Sequence, residues 1–285
     1  MPQILMGSDR RSGVGIARDW RWTDRIAPNA RFIAGELALW AAVYGAYLGL
    51  RAIAIAGESR AFRNAHHVIG AERALGLSQE AAAQRALHPA EPLLSTYYML
   101  GFGPLILTAL VWLAWRRRDV YRSLRTALLC SIGMAAVVHL TFPVAPPRMI
   151  AGLGISDWVG LSGGHDSGSF AGIRFNPYAA MPSMHVGWSL LLGFAAWRVL
   201  PGRLKALGLL HPTMMVLAVT ATGNHYLLDA IGGAAVALAG LGVVAVLSEP
   251  LAFRRARWRA PRRPGRSVPA RVPEPVAPGS SPGRG

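Results

Sequence analysis

Six apolar stretches, several of them near the ~20 residues that a helix needs to cross a bilayer, restrict this chain to a helical membrane fold. Hydrocarbon offers backbone N–H and C=O groups no water, and a helix satisfies them within the segment itself. The stretches are Phe32–Leu50, Leu93–Trp115, Leu124–Phe142, His185–Leu200, Leu207–Thr222 and Asp229–Leu247, the fourth and fifth being the shortest. Composition agrees, since 52% of the 285 residues are hydrophobic and 15% are charged. The expected fold is all-α: a polytopic membrane protein with six transmembrane helices.

A formal charge of +16 would suit a nucleic-acid partner, but the placement of the arginines argues against one. They gather before the first stretch (Arg10, Arg11, Arg18, Arg21, Arg25, Arg31) and in Arg116-Arg117-Arg118 between the second and third. Arg198, Arg203 and Lys205 separate the fourth from the fifth, and nine arginines run from Arg254 to Arg284. One orientation puts all these segments in the cytoplasm, as the positive-inside rule requires. The chain is then a multi-pass protein of the inner cell membrane with both termini cytoplasmic. Arg148, His185, His225 and Asp229 all fall on the opposite, extracytoplasmic side. The basic termini would face anionic lipid headgroups.

The loop after the first stretch also lies outside in this orientation, although it carries Arg51, Arg60, Arg63, Arg73 and Arg85. Glu58, Glu72, Glu80 and Glu91 offset them. Phe62, Ala65, Ile69 and Leu75 recur at helical spacing up to a break near Gly76, which predicts one or two amphipathic helices on the outer leaflet, covering the site. A solvated helical connector fits the same residues equally well. Three parts follow: a basic segment at 1–31, a membrane domain at 32–248, and a Pro- and Arg-rich tail at 249–285 with little to bury, expected to be disordered. Cys130 is the single cysteine, so no intrachain disulfide forms. No cleavable leader is expected at the N-terminus.

Ionisable residues at a membrane boundary are costly and tend to have a task. Two segments carry them: Met181-Pro-Ser-Met-His185-Val-Gly-Trp-Ser189 and Gly223-Asn-His225-Tyr-Leu-Leu-Asp229. Asp229 stands one helical turn after His225, so its carboxylate can hold one imidazole nitrogen and leave the other free to attack. Phosphoryl transfer through a histidine also needs a protonated imidazole for the leaving group and cations for the phosphate oxygens. His185 suits the first task. Arg148 and Arg174, the arginines of the long loop Pro143–Met181, suit the second. Tyr178, Ser183 and Asn224 can add hydrogen bonds.

These segments, with the upstream Ala-Pro-Pro-Arg148, resemble the lipid phosphatase/phosphotransferase superfamily typified by type-2 phosphatidic acid phosphatase. Within it, Pro-Ser-Met-His185 more closely resembles the branch of inositol phosphorylceramide synthase. The resemblance spans residues 32–248 and implies six transmembrane helices, a metal-independent mechanism without cofactor, and a phosphohistidine intermediate. It also implies that His225 is the nucleophile, Asp229 its orienting partner, His185 the general acid and Arg148 a phosphate ligand. The substrate would be a membrane lipid, with either water or a lipid hydroxyl as acceptor. Three departures accompany the match. Met184 stands where the phosphatases have glycine, Ala218 and Val219 replace a Ser-Arg pair, and no lysine precedes Arg148 in the first motif.

Two other functions use the same residues. A transporter with a histidine proton relay would want its ionisable groups at mid-membrane, and a metal-dependent hydrolase would use His185, His225 and Asp229 as ligands. His139 and His211 are expected to pack between helices, and His66, His67 and His88 to lie on the surface. Glu36, within the first stretch, calls for a partner on a neighbouring helix and has no assigned role.

Overall fold

A computed structural model describes residues 30–55, 57–160, 169–170, 173–174 and 176–259, with side chains described outside 51–55, 169–174 and 249–259. Most of the basic lead, the glycine-rich middle of the long loop and the Pro-rich tail past Arg259 lie outside these residues. The helices are α1 (Ala30–Ile55), α2 (Glu58–Leu75), α3 (Glu80–Leu87), α4 (Glu91–Leu100), α5 (Gly103–Arg116), α6 (Arg118–Thr141), α7 (Met184–Val199), α8 (Leu207–Ala221) and α9 (Leu227–Arg259). The β structure among them is a hairpin of two-residue strands, β1 (Ser169–Phe170) with β2 (Ile173–Arg174), and a single bridge between Val144 and Ala179. The chain divides into a unit over Met1–Val246, which holds every candidate residue, and a second over Leu247–Gly285, described as helix as far as Arg259.

Four segments are long and apolar enough to cross a membrane: Ala30–Leu50, Arg118–Thr141, Gly202–Ala221 and Leu227–Ser248. A fifth appears if the pair Glu80–Leu100 and Gly103–Arg116, bent by 45°, counts as one. The expected second span is therefore two helices. Pro104 opens α5 without an N–H to give, and a Cβ on Gly101 would lie 2.6 Å from the Tyr97 carbonyl oxygen and 3.3 Å from Met215 Cε. The expected fourth span, α7, has 16 residues, about 24 Å of helix against ~30 Å of hydrocarbon. Ser183 caps its start, and the chain leaves the helix at Leu200-Pro201.

Small residues let the central helices approach closely. A Cβ on Gly187 of α7 would lie 2.6 Å from the Gly233 carbonyl oxygen of α9, and Gly193 meets Gly208 of α8 in the same way. Around these crossings Leu124, Leu128, Leu191 and Ala195 are buried on one side, and Val186, Met215, Ala218 and Val219 on the other. Helix α1 attaches to α6 at its first turns. Phe32 meets Tyr121 edge-on at 5.8 Å, while Glu36 accepts hydrogen bonds from the Tyr121 hydroxyl (2.6 Å) and from Arg125. Glu36 thus has the interhelical partner that its position demands.

Helix α2 ends before Gly76, whose φ of 69° is glycine's province, in keeping with the expected break. Its inner face is Ala61, Ala65, Val68, Ile69 and Glu72, with Phe62 packed beside them. Leu75, expected on that face, is 64% exposed, because Glu72 takes the inward position of that turn. Side chains of α2 also bond the end of α6, Arg60 to the Leu140 carbonyl at 2.9 Å and Asn64 to that of Pro143 at 2.8 Å. The long loop begins and ends at one place: Val144 N–H donates to the Tyr178 carbonyl (2.9 Å), and Ala180 N–H to that of Val144 (3.3 Å).

Candidate active site

The two histidine segments meet where α7 and α9 begin and α8 ends. Past α8, Gly223 turns the chain at φ 68°, and a Cβ there would lie 2.5 Å from Ile155 Cγ2. The amides of Asn224 and His225 then both donate to the Val219 carbonyl. Tyr226 caps α9, its N–H donating to Asp229 Oδ2 at 2.9 Å, as when a carboxylate at the third helical position reaches back over the first turn. The Ser183 amide donates to the Asp229 carbonyl at 2.8 Å, which ties the start of α7 to the same turn.

His225 is 5% exposed, and its Nδ1 lies 2.8 Å from the Ala180 carbonyl oxygen. A carbonyl only accepts, so Nδ1 carries the hydrogen and Nε2 keeps its lone pair. Asp229, wholly buried, stands 3.6 Å from that Nδ1. Its charge acts on the ring through space, while the hydrogen bond expected of it comes from the backbone of residue 180. Nε2 of His225 points to Nδ1 of His185 at 3.3 Å. His185, in the first turn of α7, stacks on Tyr98 (ring centroids 4.4 Å apart) and lies against Phe102 (4.1 Å), both brought there by the bent α4–α5 pair.

Arg148 is held from several directions. Its N–H donates to the Gly223 carbonyl at 3.0 Å, its Nη1 to Asn224 Oδ1, and its Nε lies 3.9 Å from Asp157 Oδ1. Asn224 in turn donates to the Thr222 hydroxyl at 2.7 Å. Burial pulls the guanidinium below its ordinary value, against the pull of Tyr98 and Asp157 in the other direction. Arg148 and Asn224 are therefore brought together beside His225. Ser183 is fully buried and caps α7, its hydroxyl accepting from the Val186 amide at 3.4 Å. Tyr178 packs under α2 against Phe62, and burial with the Glu58 carboxylate pushes its phenol up to about 12. Arg174 is in β2, its side chain outside the described residues. Elsewhere, His211 Nδ1 pairs with the Tyr97 hydroxyl at 2.5 Å between α8 and α4. Among the described residues no three His, Cys, Asp or Glu side chains are grouped to hold a metal.

Several groups at the site carry no motif. The Ala180 carbonyl is backbone and invisible in a sequence. Asp157 is an isolated acid whose Oδ1 also accepts from the amides of Val159 and Gly160. Gln84 bonds the carbonyls of Ser156 (2.9 Å) and Ala221 (2.8 Å) and the Ser156 amide (2.7 Å). Glu72 continues the inward row Ala61, Ala65, Val68, Ile69, a periodicity that was there to be followed.

The model of one family, described as the PAP2 superfamily, matches residues 66–243. The chain belongs to the PAP2 superfamily. No curated protein and no solved structure matches it. PAP2 membership assigns the chain to a class of phosphatases and phosphotransferases, and its apolar helices to a multi-pass membrane protein. The PAP2 match includes Arg148, Ser183, His185, Asn224, His225 and Asp229, and it begins after α1 and the first part of α2.

Proposed function

We propose that this PAP2 protein is a six-span lipid phosphatase or phosphotransferase that works through a phosphohistidine at the extracytoplasmic face. The observation that carries this is the pair of imidazoles, Nε2 of His225 at 3.3 Å from Nδ1 of His185, with the other nitrogen of His225 engaged by the Ala180 carbonyl. A neutral nucleophile with a fixed tautomer and an acid at its attacking face are what in-line displacement at phosphorus requires.

Nε2 of His225 attacks phosphorus, the bond to the leaving oxygen breaks, and His185 gives that oxygen its proton. Asp229, at 3.6 Å, favours the positive ring formed on His225. Arg148, with Asn224 fixing its fork and Arg174 as a second cation, offsets charge on the phosphoryl oxygens. His185 then takes the proton of the acceptor hydroxyl, whose oxygen attacks phosphorus as the bond from phosphorus to Nε2 breaks and returns its electron pair to the neutral His225 ring. The likeness of Pro-Ser-Met-His185 to the inositol phosphorylceramide synthase branch favours a lipid hydroxyl as acceptor and a phosphoinositol-like headgroup as cargo. In this reading helix α7, packed against α6 and α8, is the fourth span and the α4–α5 pair the second. Its start lies below the membrane surface and recesses the site. No metal takes part.

The test is an incubation of the purified protein in detergent with EDTA, a panel of phospholipids and prenyl phosphates, and with or without a lipid alcohol. Wild type is expected to release a phosphorylated product or form a new phospholipid, and His225→Ala to do neither. Equal activity in His225→Ala, or activity that EDTA abolishes, overturns the proposal.

A further inference from the structure

Three carboxylates from three parts of the chain converge on the start of α9. The Tyr226 amide donates to Asp229 (2.9 Å), that of Leu227 to Glu80 (3.3 Å) and that of Leu228 to Glu72 (2.8 Å). Opening amides of a helix have no partner within it, and the helix dipole favours negative charge there. Each of these amides takes a carboxylate of its own. Here Glu72 is 1%, Glu80 6% and Asp229 0% exposed. The groups that face Glu72 are Glu80 on α3, Asp229 on α9 and, just before α9, Tyr226; beyond them stands His225, against Asp229. Arg60, Arg63, His66, His67 and Arg73 of α2 all point outward. So many buried charges, with only an imidazole for relief, are tolerable if one carboxyl keeps its proton.

We propose that Glu72 and Glu80 are positioning residues, which clamp the outer helices α2 and α3 to the turn carrying His225 and Asp229. This rests on the phosphoryl-transfer reading above. Glu72 holds a proton that its carboxyl shares with Glu80, while Oε1 accepts from Leu228. Burial above all pushes this carboxyl up to about 8, with Glu80 and Asp229 adding to the effect and the Leu228 amide opposing it. The sign follows from linkage. A carboxyl raised by the fold stabilises it in the protonated form, so this contribution is whole below 4.5 and is lost as pH rises through about 8.

Glu72→Gln copies the protonated acid and keeps the acceptor for Leu228. Glu72→Leu keeps the bulk and leaves that amide without a partner. In detergent, the melting temperature of wild type should fall relative to Glu72→Gln as pH rises from about 5 to about 8, and then run parallel to it. With the lipid substrate, Glu72→Leu should lose about tenfold or more in kcat with KM nearly unchanged, and Glu72→Gln should restore it. Wild type and Glu72→Gln melting in parallel over the whole range, or Glu72→Leu turning over like wild type, overturns the proposal. If Glu72→Leu does not fold, the Glu72→Gln melting comparison decides alone. His225→Ala, run alongside, separates the two claims: activity in that variant defeats the phosphohistidine reading, whereas the melting difference reports on the clamp without any turnover.

Discussion

Replacing Gly187 with alanine probes how finely the two imidazoles are set. The added Cβ would lie 2.6 Å from the Gly233 carbonyl oxygen, whereas ordinary contact begins at 3.4 Å, so α7 and α9 must part by about 0.8 Å at their crossing. The obstacle is backbone on a helix, which cannot swing aside as a side chain would. Alanine gains up to ~1 kcal/mol over glycine in a helix, but overpacking costs about 1–3 kcal/mol, and the balance is a modest loss of stability. The functional loss is larger. His185 stands two residues before Gly187 on α7, and His225 stands just ahead of α9, so the separation acts directly on their 3.3 Å contact. A displacement near 1 Å at reacting groups lowers rates on the order of 10²-fold. Lipid turnover and thermal melting should be measured on Gly187→Ala beside Gly242→Ala, which adds the same methyl to α9 where nothing lies within 4 Å. Gly187→Ala is expected to lose ten- to a hundredfold in kcat while still folding, with Gly242→Ala like wild type. A Gly187→Ala enzyme with wild-type kcat would refute the argument that this crossing sets the imidazole pair.

Glu36→Ala should lower thermal stability by a few kcal/mol, because Arg125 keeps its half-buried place with no carboxylate to meet it. Glu36→Ala/Arg125→Leu should recover part of that loss, and turnover should be unaltered in both; a double variant no more stable than the single one would speak against the pairing. Gln84→Leu leaves two carbonyls and the Ser156 amide without their partner, at about 1–3 kcal/mol for each group left dry. Since Asp157 follows Ser156 and lies against Arg148, KM for the lipid should rise as well; an unchanged KM would show that this side of the loop does not govern phosphate binding.

The fold was legible where apolar length decides. The first, third, fifth and sixth apolar stretches each correspond to a helix long enough to cross a bilayer. The second and fourth were harder for physical reasons. A bend at Gly101 and Pro104 leaves hydropathy unchanged, and the 16 residues of α7 make a helix shorter than the hydrocarbon is thick. At the site, His185, His225 and Asp229 announced themselves because charge in an apolar context is conspicuous. Glu80 did not, since an acid on a short amphipathic helix looks like a solvated face until its burial is known, and helical spacing alone pointed to Glu72. A hydroxyl before a helix suits both a cap and a phosphate ligand, and the Ser183 oxygen caps α7 while its hydrogen remains able to donate.

The bond from His225 to the Ala180 carbonyl has an evolutionary and a chemical consequence. Every residue type at position 180 brings the same main-chain oxygen, so no point substitution there deletes the acceptor. An amide oxygen also does not titrate in the working range, so the group facing Nδ1 is the same acceptor in acid and in alkali. Relocating the lone pair of His225 would require moving the backbone itself.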